Sequence, residues 1–294
     1  MATYEGIDVS VHNGNIDFNK VKAAGKSFVM IRAGYGRYMN QKDTCFEQNY
    51  SRAKAAGMHI GAYWYSYATT VAQAQEEANV FLKVIAGKSF DYPLAFDIED
   101  QTQVGLSTTT KNAIINTFCK TIEKAGYYCM LYSYESFLTS QISAPTRNQY
   151  DVWCANISKI PSIIYGIHQY SFKGRVSGIT GEVDLNRTTK DYPTIIKNAG
   201  LNGFKKTAST PAPTKPVLDS TGFKYNDSNN GTLALKKLLK IAKAKGVISG
   251  NVDDTAGFGD GTQTAVNQFL KKLGYKENGI AGKNFINKLY DAIK

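Results

Sequence analysis

The sequence predicts an α/β fold, an irregular βα barrel of about eight strands, followed by a small all-α domain. Segments rich in Val, Ile, Tyr and Phe alternate with helical patterns through the first part of the chain, which is typical of a parallel sheet covered by helices. About eight strands in roughly two hundred residues favour a closed barrel over an open sheet. After residue 135 the strands follow one another closely, so we expect helices to be missing between the last strands.

Eight segments have the β-branched and aromatic composition of strands. Helices are predicted in the early connections, and in the third of them Ala74, Ala78 and Phe81 share one face, opposite charged residues. A glycine follows each predicted helix, as is common at helix C-termini. The predicted strands cover residues 4–10, 27–34, 59–67, 92–99, 128–134, 151–156, 165–170 and 182–186, and the predicted helices cover residues 17–24, 44–56, 71–86 and 109–125.

A change of composition divides the chain. Residues 208–217, ASTPAPTKPV, hold three of the seven prolines and no aromatic residue, which is the composition of an extended, semi-rigid linker. We therefore expect two domains. A barrel domain over residues 1–207 is expected to be the catalytic one, and a three-helix domain is expected over residues 218–294. The apolar stripes of the three helices contain Leu235, Leu238, Leu239 and Ala242, then Val266, Phe269, Leu270 and Leu273, then Phe285, Ile286, Leu289 and Ile293.

Composition and charge restrict the class of protein. The hydrophobic fraction of 43% is ordinary for a globular protein, and no apolar run is long enough to cross a bilayer, so no membrane partner is expected. The net charge of +11 favours polyanions such as nucleic acid, anionic lipid or the teichoic acids of a cell wall. Without a dense Lys/Arg run or an RNA-binding or zinc-finger signature, nucleic acid is not expected. The four cysteines have no CxxC spacing and are expected to be buried free thiols.

The segment LAFDIED carries two acidic residues at the end of a predicted strand. Side chains alternate between the faces of a strand, so Asp97 and Glu99 share one face while Phe96 and Ile98 occupy the other. If the apolar pair faces the helices, both carboxylates lie at the barrel mouth, where barrel active sites are built. Their repulsion across about 7 Å should leave one of them protonated near neutral pH. A proton donor beside an anion suits glycoside hydrolysis, although a structural pair satisfied by arginine or backbone amides is the alternative.

Two further acidic residues are expected at the same mouth. Asp8 lies near the carboxyl end of the first predicted strand and Asp184 lies at the end of the last, and the first and last strands of a closed barrel are neighbours. Metal binding is the alternative explanation for four clustered acids. The sequence has no DxDxDG-like loop, and His12 and His59 are expected to be ordinary loop and strand-start residues. We therefore expect no metal.

Aromatic side chains are expected around the same mouth. Tyr63, Tyr65 and Tyr67 alternate along one face of the third predicted strand. Sugar rings pack on aromatic faces, although tyrosine also suits strands for packing alone. Gln169 is expected to form a hydrogen bond with the substrate. The aromatic residues expected to contact the substrate are Tyr63, Tyr65, Tyr132 and Trp153.

The same segments resemble the motifs of a known family. GIDVSVHNG, FVMIRAGYG, GAYWYSYA, PLAFDIED, WCAN and IHQYSFKGRVSGITGEVDLNR resemble, in this order, the motifs of glycoside hydrolase family 25, the Chalaropsis-type lysozymes. The resemblance covers about residues 3–200. It implies a modified barrel that hydrolyses the β-1,4 bond after N-acetylmuramic acid in bacterial peptidoglycan, with no metal and no other cofactor.

The resemblance also implies roles for the four acids. It makes Glu99 the general acid/base, and Asp97 either a nucleophile or the residue that orients the acetamido group of the substrate for attack on the anomeric carbon. Asp8 and Asp184 then shape and charge the site. The D-x-E spacing is similar to that of substrate-assisted chitinase-type sites as well, which favours retention of configuration with acetamido participation.

The C-terminal segments VDDTAGFGDGTQTAVNQFLKKLG and ENGIAGKNFINKL resemble peptidoglycan-binding domains of the three-helix type. Gly257, Gly259 and Gly261 depart from the D-G-x-x-G-x-x-T form of those domains. The N-terminus, MATYEGIDVSVHNG, lacks the basic and apolar segments of a secretory signal.

These features together suggest a phage endolysin, made in the host cytoplasm and acting on the cell wall after release. Its expected partners are peptidoglycan and, as a further candidate, teichoic acid or another anionic wall polymer. A bacterial autolysin exported by another route is the alternative origin. A catalytically silent wall-carbohydrate-binding protein is the alternative function, but it would lack the proton donor that Glu99 provides.

Overall fold

In the computed structural model the chain forms two compact units, Met1–Thr207 and Ala208–Lys294. The structure describes residues 2–205 and 222–293, so the predicted linker at residues 208–217 lies outside the described part of the chain. Among the described residues, no helix has the length and apolar character needed to span a membrane.

The first unit is a closed barrel of eight strands, as the sequence predicts. Each strand pairs with the next, and the last pairs with the first. The strands are β1 (Tyr4–Val9), β2 (Phe28–Tyr35), β3 (His59–Tyr65), β4 (Leu94–Asp97), β5 (Cys129–Tyr134), β6 (Asp151–Ala155), β7 (Ile167–Gly174) and β8 (Val183–Thr188).

The expected parallel sheet is correct for β1 to β7 but wrong for β8, which runs antiparallel to both β7 and β1. The reason lies in the connection that precedes β8. Only residues 175–182 separate β7 from β8. A parallel neighbour needs a crossover of a dozen or more residues, whereas an antiparallel neighbour can follow a short loop. The chain therefore turns back at the barrel mouth, and β8 starts where the other strands end.

Helices cover the outside of the barrel. The four predicted helices are present with boundaries that differ by at most two residues, and the predicted absence of helices is confirmed between β6 and β7 and between β7 and β8. The same expectation was wrong between β5 and β6, where residues 135–140 and 144–147 form two short helices because this connection is long enough to hold them. The sequence-based prediction also missed the other short helix and the last one. The α-helices are α1 (Phe18–Ala23), α2 (Phe46–Ala55), α3 (Val71–Ile85), α4 (Gln101–Val104), α5 (Thr108–Lys124), α6 (Glu135–Ser140), α7 (Ala144–Arg147) and α8 (Tyr192–Ala199), and 3-10 helices occupy Val11–Asn13 and Met39–Gln41.

Strand β4 shows how the two sides of the sheet differ. Its residue Phe96 faces outward and stacks on Phe118 of α5, with ring centroids 4.2 Å apart. Ala95 faces inward and joins the apolar residues that fill the barrel interior. Asp97 follows two positions after Ala95 and so shares its inward face. The interior core consists of Phe28, Met30, Tyr92, Ala95, Met130, Tyr132, Trp153, Ala155, Ile167, Tyr192 and Ile196.

The four cysteines are free thiols. Cys119, Cys129 and Cys154 are buried as predicted, whereas Cys45, at the start of α2, is partly exposed. Burial raises the pKa of the Cys154 thiol to about 12 and that of Cys119 well above its ordinary range, so both stay protonated at neutral pH.

The second unit contains three helices, α9 (Asn230–Ala244), α10 (Asp260–Lys272) and α11 (Lys283–Ala292), with one apolar core between them. A buried lysine on α9, Lys236, holds the loop before α10. Its Nζ lies 2.7 Å from Asp253 Oδ1 and donates to the carbonyl of Thr255 at 3.1 Å. The core residues include the predicted stripes, with Leu273 partly buried beside them.

Asn202 ties the end of the first unit to the barrel. Its backbone is left-handed, with φ of 57°, and its side chain is fully buried. The amide nitrogen donates to the carbonyls of Phe90 and Tyr92 at 3.1 and 2.8 Å, and the amide oxygen accepts from the backbone N–H of Tyr128 at 2.7 Å. One side chain thus pairs backbone groups that precede β4 and β5.

We expect Asn202→Ala to lower the free energy of unfolding of the barrel by about 3 kcal/mol or more, because it leaves buried backbone groups unpaired. Asn202→Gly should cost roughly 1 kcal/mol less, since glycine adopts a positive φ without strain. Urea denaturation followed by tryptophan fluorescence measures this unit alone, because both tryptophans, Trp64 and Trp153, belong to the barrel. Wild-type stability of Asn202→Gly would show that the side-chain hydrogen bonds contribute nothing.

Candidate active site

A cavity of about 370 Å³ opens at the end of the barrel where the parallel strands finish. Eight of the nine predicted site residues line it; the ninth, Gln169, does not. Among residues 2–205 and 222–293, no group of three or more His, Cys, Asp or Glu side chains is arranged to hold a metal ion. The polar and aromatic lining consists of Asp8, Ser10, His12, Asn13, Arg32, Tyr63, Tyr65, Asp97, Glu99, Tyr132, Trp153, Glu182 and Asp184.

The four acidic residues reach this cavity from three strands. Asp8 lies near the carboxyl end of β1, and Asp97 is the last residue of β4. Glu99 lies two residues beyond the end of β4, although the predicted strand included it. Asp184 is the second residue of β8, at its amino end, so its predicted position at the end of the last strand was wrong. The antiparallel course of β8 nevertheless places Asp184 directly opposite Asp8 in the strand register.

Asp8 is the centre of a buried hydrogen-bond network. Its Oδ2 accepts from Gln169 Nε2 at 2.8 Å and from Asn186 Nδ2 at 2.7 Å. The oxygen of each amide is held in turn, because Tyr132 OH donates to Gln169 Oε1 and Trp153 Nε1 donates to Asn186 Oδ1, both at 2.7 Å. Each amide therefore has a fixed orientation and presents an N–H to the carboxylate.

This network determines which member of the Asp8–Asp184 pair carries a proton. Burial raises the pKa of Asp8 to about 6, against the lowering effect of its two amide donors. Burial and the neighbouring Asp8 carboxylate raise the pKa of Asp184 to about 8. At neutral pH the pair thus holds one proton and carries one negative charge, and the two amide donors favour that charge on Asp8.

The second pair of acids lies beside the first. Burial, followed by the charges of Asp8 and Asp100, raises the pKa of Glu99 to about 7. Burial, followed by the charges of Glu99 and Asp8, raises the pKa of Asp97 well above its ordinary range, and Arg32 opposes this effect. Asp97 Oδ1 is buried without a hydrogen-bond partner in the described part of the chain. Glu99 can therefore donate a proton near neutral pH, and Asp97 has an oxygen available for a ligand N–H.

The predicted substrate contacts fall into two groups. Tyr63 and Tyr65 line the cavity, and Tyr65 donates a hydrogen bond to Asp100 Oδ2 at 3.1 Å. Trp153 also lines it but is only 1% exposed and serves chiefly as its base. Gln169 is likewise 1% exposed, and both ends of its amide bond to the protein. The expectation that Gln169 binds substrate is therefore corrected: its buried amide positions Asp8.

Several residues of the site were missed in the sequence. Asn186 follows Asp184 by two positions on β8, so strand alternation alone could have placed it beside the acids. Arg32 lies on β2 two positions after the inward-facing Met30, and its Nε donates to Asp43 Oδ2 at 2.8 Å. His12, expected to be an ordinary loop residue, lines the cavity from a 3-10 helix.

A second buried network joins the loops that follow β3 and β4. Glu77 of α3 accepts from Ser66 Oγ at 2.6 Å and from the backbone N–H of Tyr67 at 2.9 Å. Gln103 Nε2 donates to the carbonyls of Ser66 and Ala68, both at 3.2 Å. The backbone N–H of Ser66 also donates to the carbonyl of Asp97 at 2.9 Å. The loop that carries Tyr65 is thereby fixed against the segment that carries Asp97.

We expect the free energy of unfolding of the barrel to fall as the pH rises from about 6.5 to about 8. Burial raises the pKa values of Glu77, Glu99 and Asp184 to about 7, 7 and 8, so in this range the folded chain holds protons that the unfolded chain has already lost. His168, whose pKa burial lowers from 6.5, acts in the opposite direction, and this effect fades as the pH rises above 6.5.

Asp184→Asn should flatten this pH dependence in urea denaturation followed by tryptophan fluorescence, because it removes one of the titrating groups. Asp191→Asn is the matched control: Asp191 is an exposed helix cap whose pKa is lowered, chiefly by its hydrogen bonds to Thr194, and asparagine caps a helix equally well. The slope should be unchanged in that variant. An equal slope for Asp184→Asn and wild type would mean that Asp184 is ionised throughout this range.

Comparison with known proteins relates this site to a family. The model of the family described as glycosyl hydrolases family 25 matches residues 7–179. The "Autolytic lysozyme" of Clostridium acetobutylicum is 30% identical over 206 residues, which cover 68% of this chain and 61% of that protein. The chain thus spans about three fifths of the length of this relative.

Solved structures agree with the sequence match. The CTP1L endolysin is 30% identical with a TM-score of 0.59, covering 66% of this chain and 70% of its own. The bacterial lysozyme from Streptomyces coelicolor is 28% identical with a TM-score of 0.58, covering 71% of this chain and 100% of its own. The match to the family model extends over more than half of the chain and includes Asp8, Asp97 and Glu99. This chain belongs to glycosyl hydrolases family 25.

Proposed function

We propose that this protein is an N-acetylmuramidase that hydrolyses the β-1,4 bond between N-acetylmuramic acid and N-acetylglucosamine in bacterial peptidoglycan. Membership of the family, and similarity to proteins named lysozyme and endolysin, support this proposal. The observation that carries it is the carboxyl group of Glu99, whose pKa is raised to about 7, beside a negatively charged acid pair in a cavity lined by tyrosines.

Glu99 acts first as the general acid. It donates its proton to the glycosidic oxygen as the bond to the anomeric carbon breaks, and its carboxylate then accepts a proton from the attacking water. The negative charge shared by Asp8 and Asp184 favours the positive charge that develops on the sugar ring. The two buried amides, Gln169 and Asn186, keep that charge in place without needing to reorganise.

Asp97 supplies the second function of the reaction. It either attacks the anomeric carbon or orients the acetamido group of the substrate for that attack, and both routes lead to retention of configuration. Its buried Oδ1, which has no partner in the described residues, supports the second route, since an acetamido N–H is the kind of donor that this oxygen needs.

We expect Glu99→Gln to lower the rate of wall hydrolysis by about 10²–10⁴-fold, because glutamine keeps the shape of the side chain but donates no proton to the leaving oxygen. The assay is digestion of purified peptidoglycan, borohydride reduction and mass spectrometry, in which wild type should yield muramitol. Glucosaminitol would identify a glucosaminidase instead, and new amino termini would identify a peptidase or amidase.

Glu123→Gln is the control for this experiment. Burial also raises the pKa of Glu123, but this residue lies on α5, outside the barrel. It should retain wild-type activity, and both variants should still unfold in a cooperative transition, which shows that each is folded. A folded Glu99→Gln protein with activity within a few-fold of wild type would remove Glu99 from its role.

We further infer that the chain acts on the cell wall in the manner of an endolysin, with the second unit binding the wall. Similarity to the CTP1L endolysin supports the first part. The second part is supported by the three-helix fold and by the net charge of +6 over residues 208–294, which hold 13 basic and 7 acidic side chains. Peptidoglycan is the proposed ligand, with teichoic acid or another anionic wall polymer as a second one.

Cutting the chain between Pro211 and Pro216 should separate the two activities. The barrel fragment should cleave soluble glycan fragments at the wild-type rate, because all four acids precede residue 190. Its activity on intact cells should fall, since it loses a tether that raises its concentration at the wall. The C-terminal fragment should sediment with walls and cut nothing.

The two fragments should be compared with the intact chain at physiological ionic strength. Exposed charges are then screened beyond roughly 8 Å, so the positive charge of the barrel does not hold it to the wall. Recovery of the C-terminal fragment in the supernatant with every wall type would contradict an anchoring role.

A further inference from the structure

A second, smaller pocket lies beside the acid cavity, at the ends of β2 and β3. Its volume is about 250 Å³, below the range of roughly 300–1,000 Å³ that is typical of drug-sized ligands, so its size suits one sugar ring. We call it the rim pocket and define it by six residues, Tyr38, Gln41, Tyr67, Thr69, Gln73 and Thr102. None of these residues has a role in the proposed reaction.

A row of tyrosine rings connects the rim pocket with the acid cavity. Tyr65 lines the acid cavity, and its ring centroid lies 5.1 Å from that of Tyr67, which lines the rim pocket. Tyr67 in turn lies 6.0 Å from Tyr35, edge to face. A glycan strand that leaves the acid cavity past Tyr65 therefore comes within reach of Tyr67 and the rim pocket.

The lining of the rim pocket suits a sugar. Tyr67 is 45% exposed and Tyr38 is 56% exposed, so both offer ring surface to a ligand. Gln73 Oε1 accepts from the backbone and hydroxyl of Thr69, and Gln41 Oε1 accepts from the backbone N–H of Tyr38. The amide nitrogens of both glutamines have no hydrogen-bond partner in the described residues, which leaves them to donate to hydroxyl or acetamido oxygens.

Hydrogen bonds hold the Tyr67 segment of the pocket in place without a ligand. The backbone N–H of Tyr67 donates to the buried carboxyl group of Glu77, which forms part of the wall of the pocket. Gln103 fixes the carbonyls on either side of Tyr67. A ligand that stacks on Tyr67 would not have to order this loop, so less of the contact energy is lost on binding.

We propose that the rim pocket binds a further saccharide unit of the glycan strand, stacked on Tyr67 and held by the amides of Gln41 and Gln73. The proposal rests on the proposed glycan hydrolysis. It makes the protein a hydrolase that prefers long glycan strands, because only a strand that extends beyond the acid cavity reaches Tyr67.

The charges at the rim favour a sugar over the peptide stem of peptidoglycan. A stem peptide carries carboxylates, which call for a cation. Arg37 is the cation that lines this pocket, and it is already engaged, lying 3.6 Å from Glu76 and over the ring of Tyr38. Glu77 also lines the pocket, but its carboxyl group already accepts hydrogen bonds from Ser66 and Tyr67. The other polar side chains are neutral hydroxyls and amides, which match the hydroxyl and acetamido groups of a saccharide.

The test uses peptide-free glycan oligomers of alternating N-acetylglucosamine and N-acetylmuramic acid, from four to eight sugars long. For the wild-type protein kcat/KM should rise with chain length. Tyr67→Ala should reduce that rise by about 2- to 10-fold, the contribution of one aromatic contact, while Tyr67→Phe, which keeps the ring, should preserve it. Gln73→Ala should reduce the rise as well. Phe172→Ala, on an equally exposed aromatic residue of β7 (44%) that lines neither the acid cavity nor the rim pocket, is the control and should preserve the rise.

The outcomes separate this proposal from the proposed function. If no oligomer is cleaved by the wild-type protein, the proposed hydrolysis fails first. Cleavage without length dependence, or an equal loss for short and long oligomers in Tyr67→Ala, overturns the rim-pocket proposal alone. A Tyr67-dependent gain that is seen only with peptide-bearing strands would assign the pocket to the stem peptide and also overturns it.

Discussion

Strand β8 pairs in antiparallel register with β1, and the arrangement of the active site depends on this pairing. The pairing sets Asp184 opposite Asp8 and brings Asn186 within hydrogen-bond distance of the Asp8 carboxylate. Were β8 parallel to its neighbours, its first residues would lie at the opposite end of the barrel, and Asp184 would be far from the cavity. The short connection after β7 therefore has a chemical consequence, because it adds an acid and an amide to the mouth.

Burial of four acids in one cavity is unfavourable unless their charge is limited and solvated by the protein. The barrel meets both conditions. One proton is shared between Asp8 and Asp184, Glu99 holds another near neutral pH, and the raised pKa of Asp97 limits the charge on the fourth acid. The remaining charge on Asp8 is solvated by two amides whose own oxygens are fixed by an indole and a phenol. The amides that stabilise the charge on Asp8 are thus themselves buried. Their effect on the pKa of that acid therefore does not depend on water in the cavity.

Sequence reasoning predicted the barrel, its strands and the meeting of four acids, because strand alternation and helix periodicity are local signals. Side-chain alternation in LAFDIED correctly predicted that Asp97 lies on the inward face of β4, since this alternation does not depend on the rest of the fold. The direction of β8 was missed because side-chain alternation carries no information on strand direction, although the short predicted connection at residues 171–181 already favoured an antiparallel strand. The role of Gln169 was missed because burial of a polar side chain depends on partners from other strands, here Asp8 and Tyr132. The roles of the individual acids in the reaction stay predictions.

The distribution of the cysteines has a practical consequence. Three of the four thiols are buried, and for Cys119 and Cys154 a raised pKa keeps the reactive thiolate scarce as well. Cys45 alone is partly exposed, at the start of α2 on the outside of the barrel. A maleimide reagent should therefore attach at one position without any engineering of the chain. A fluorophore carried there would report where the protein lies on a cell.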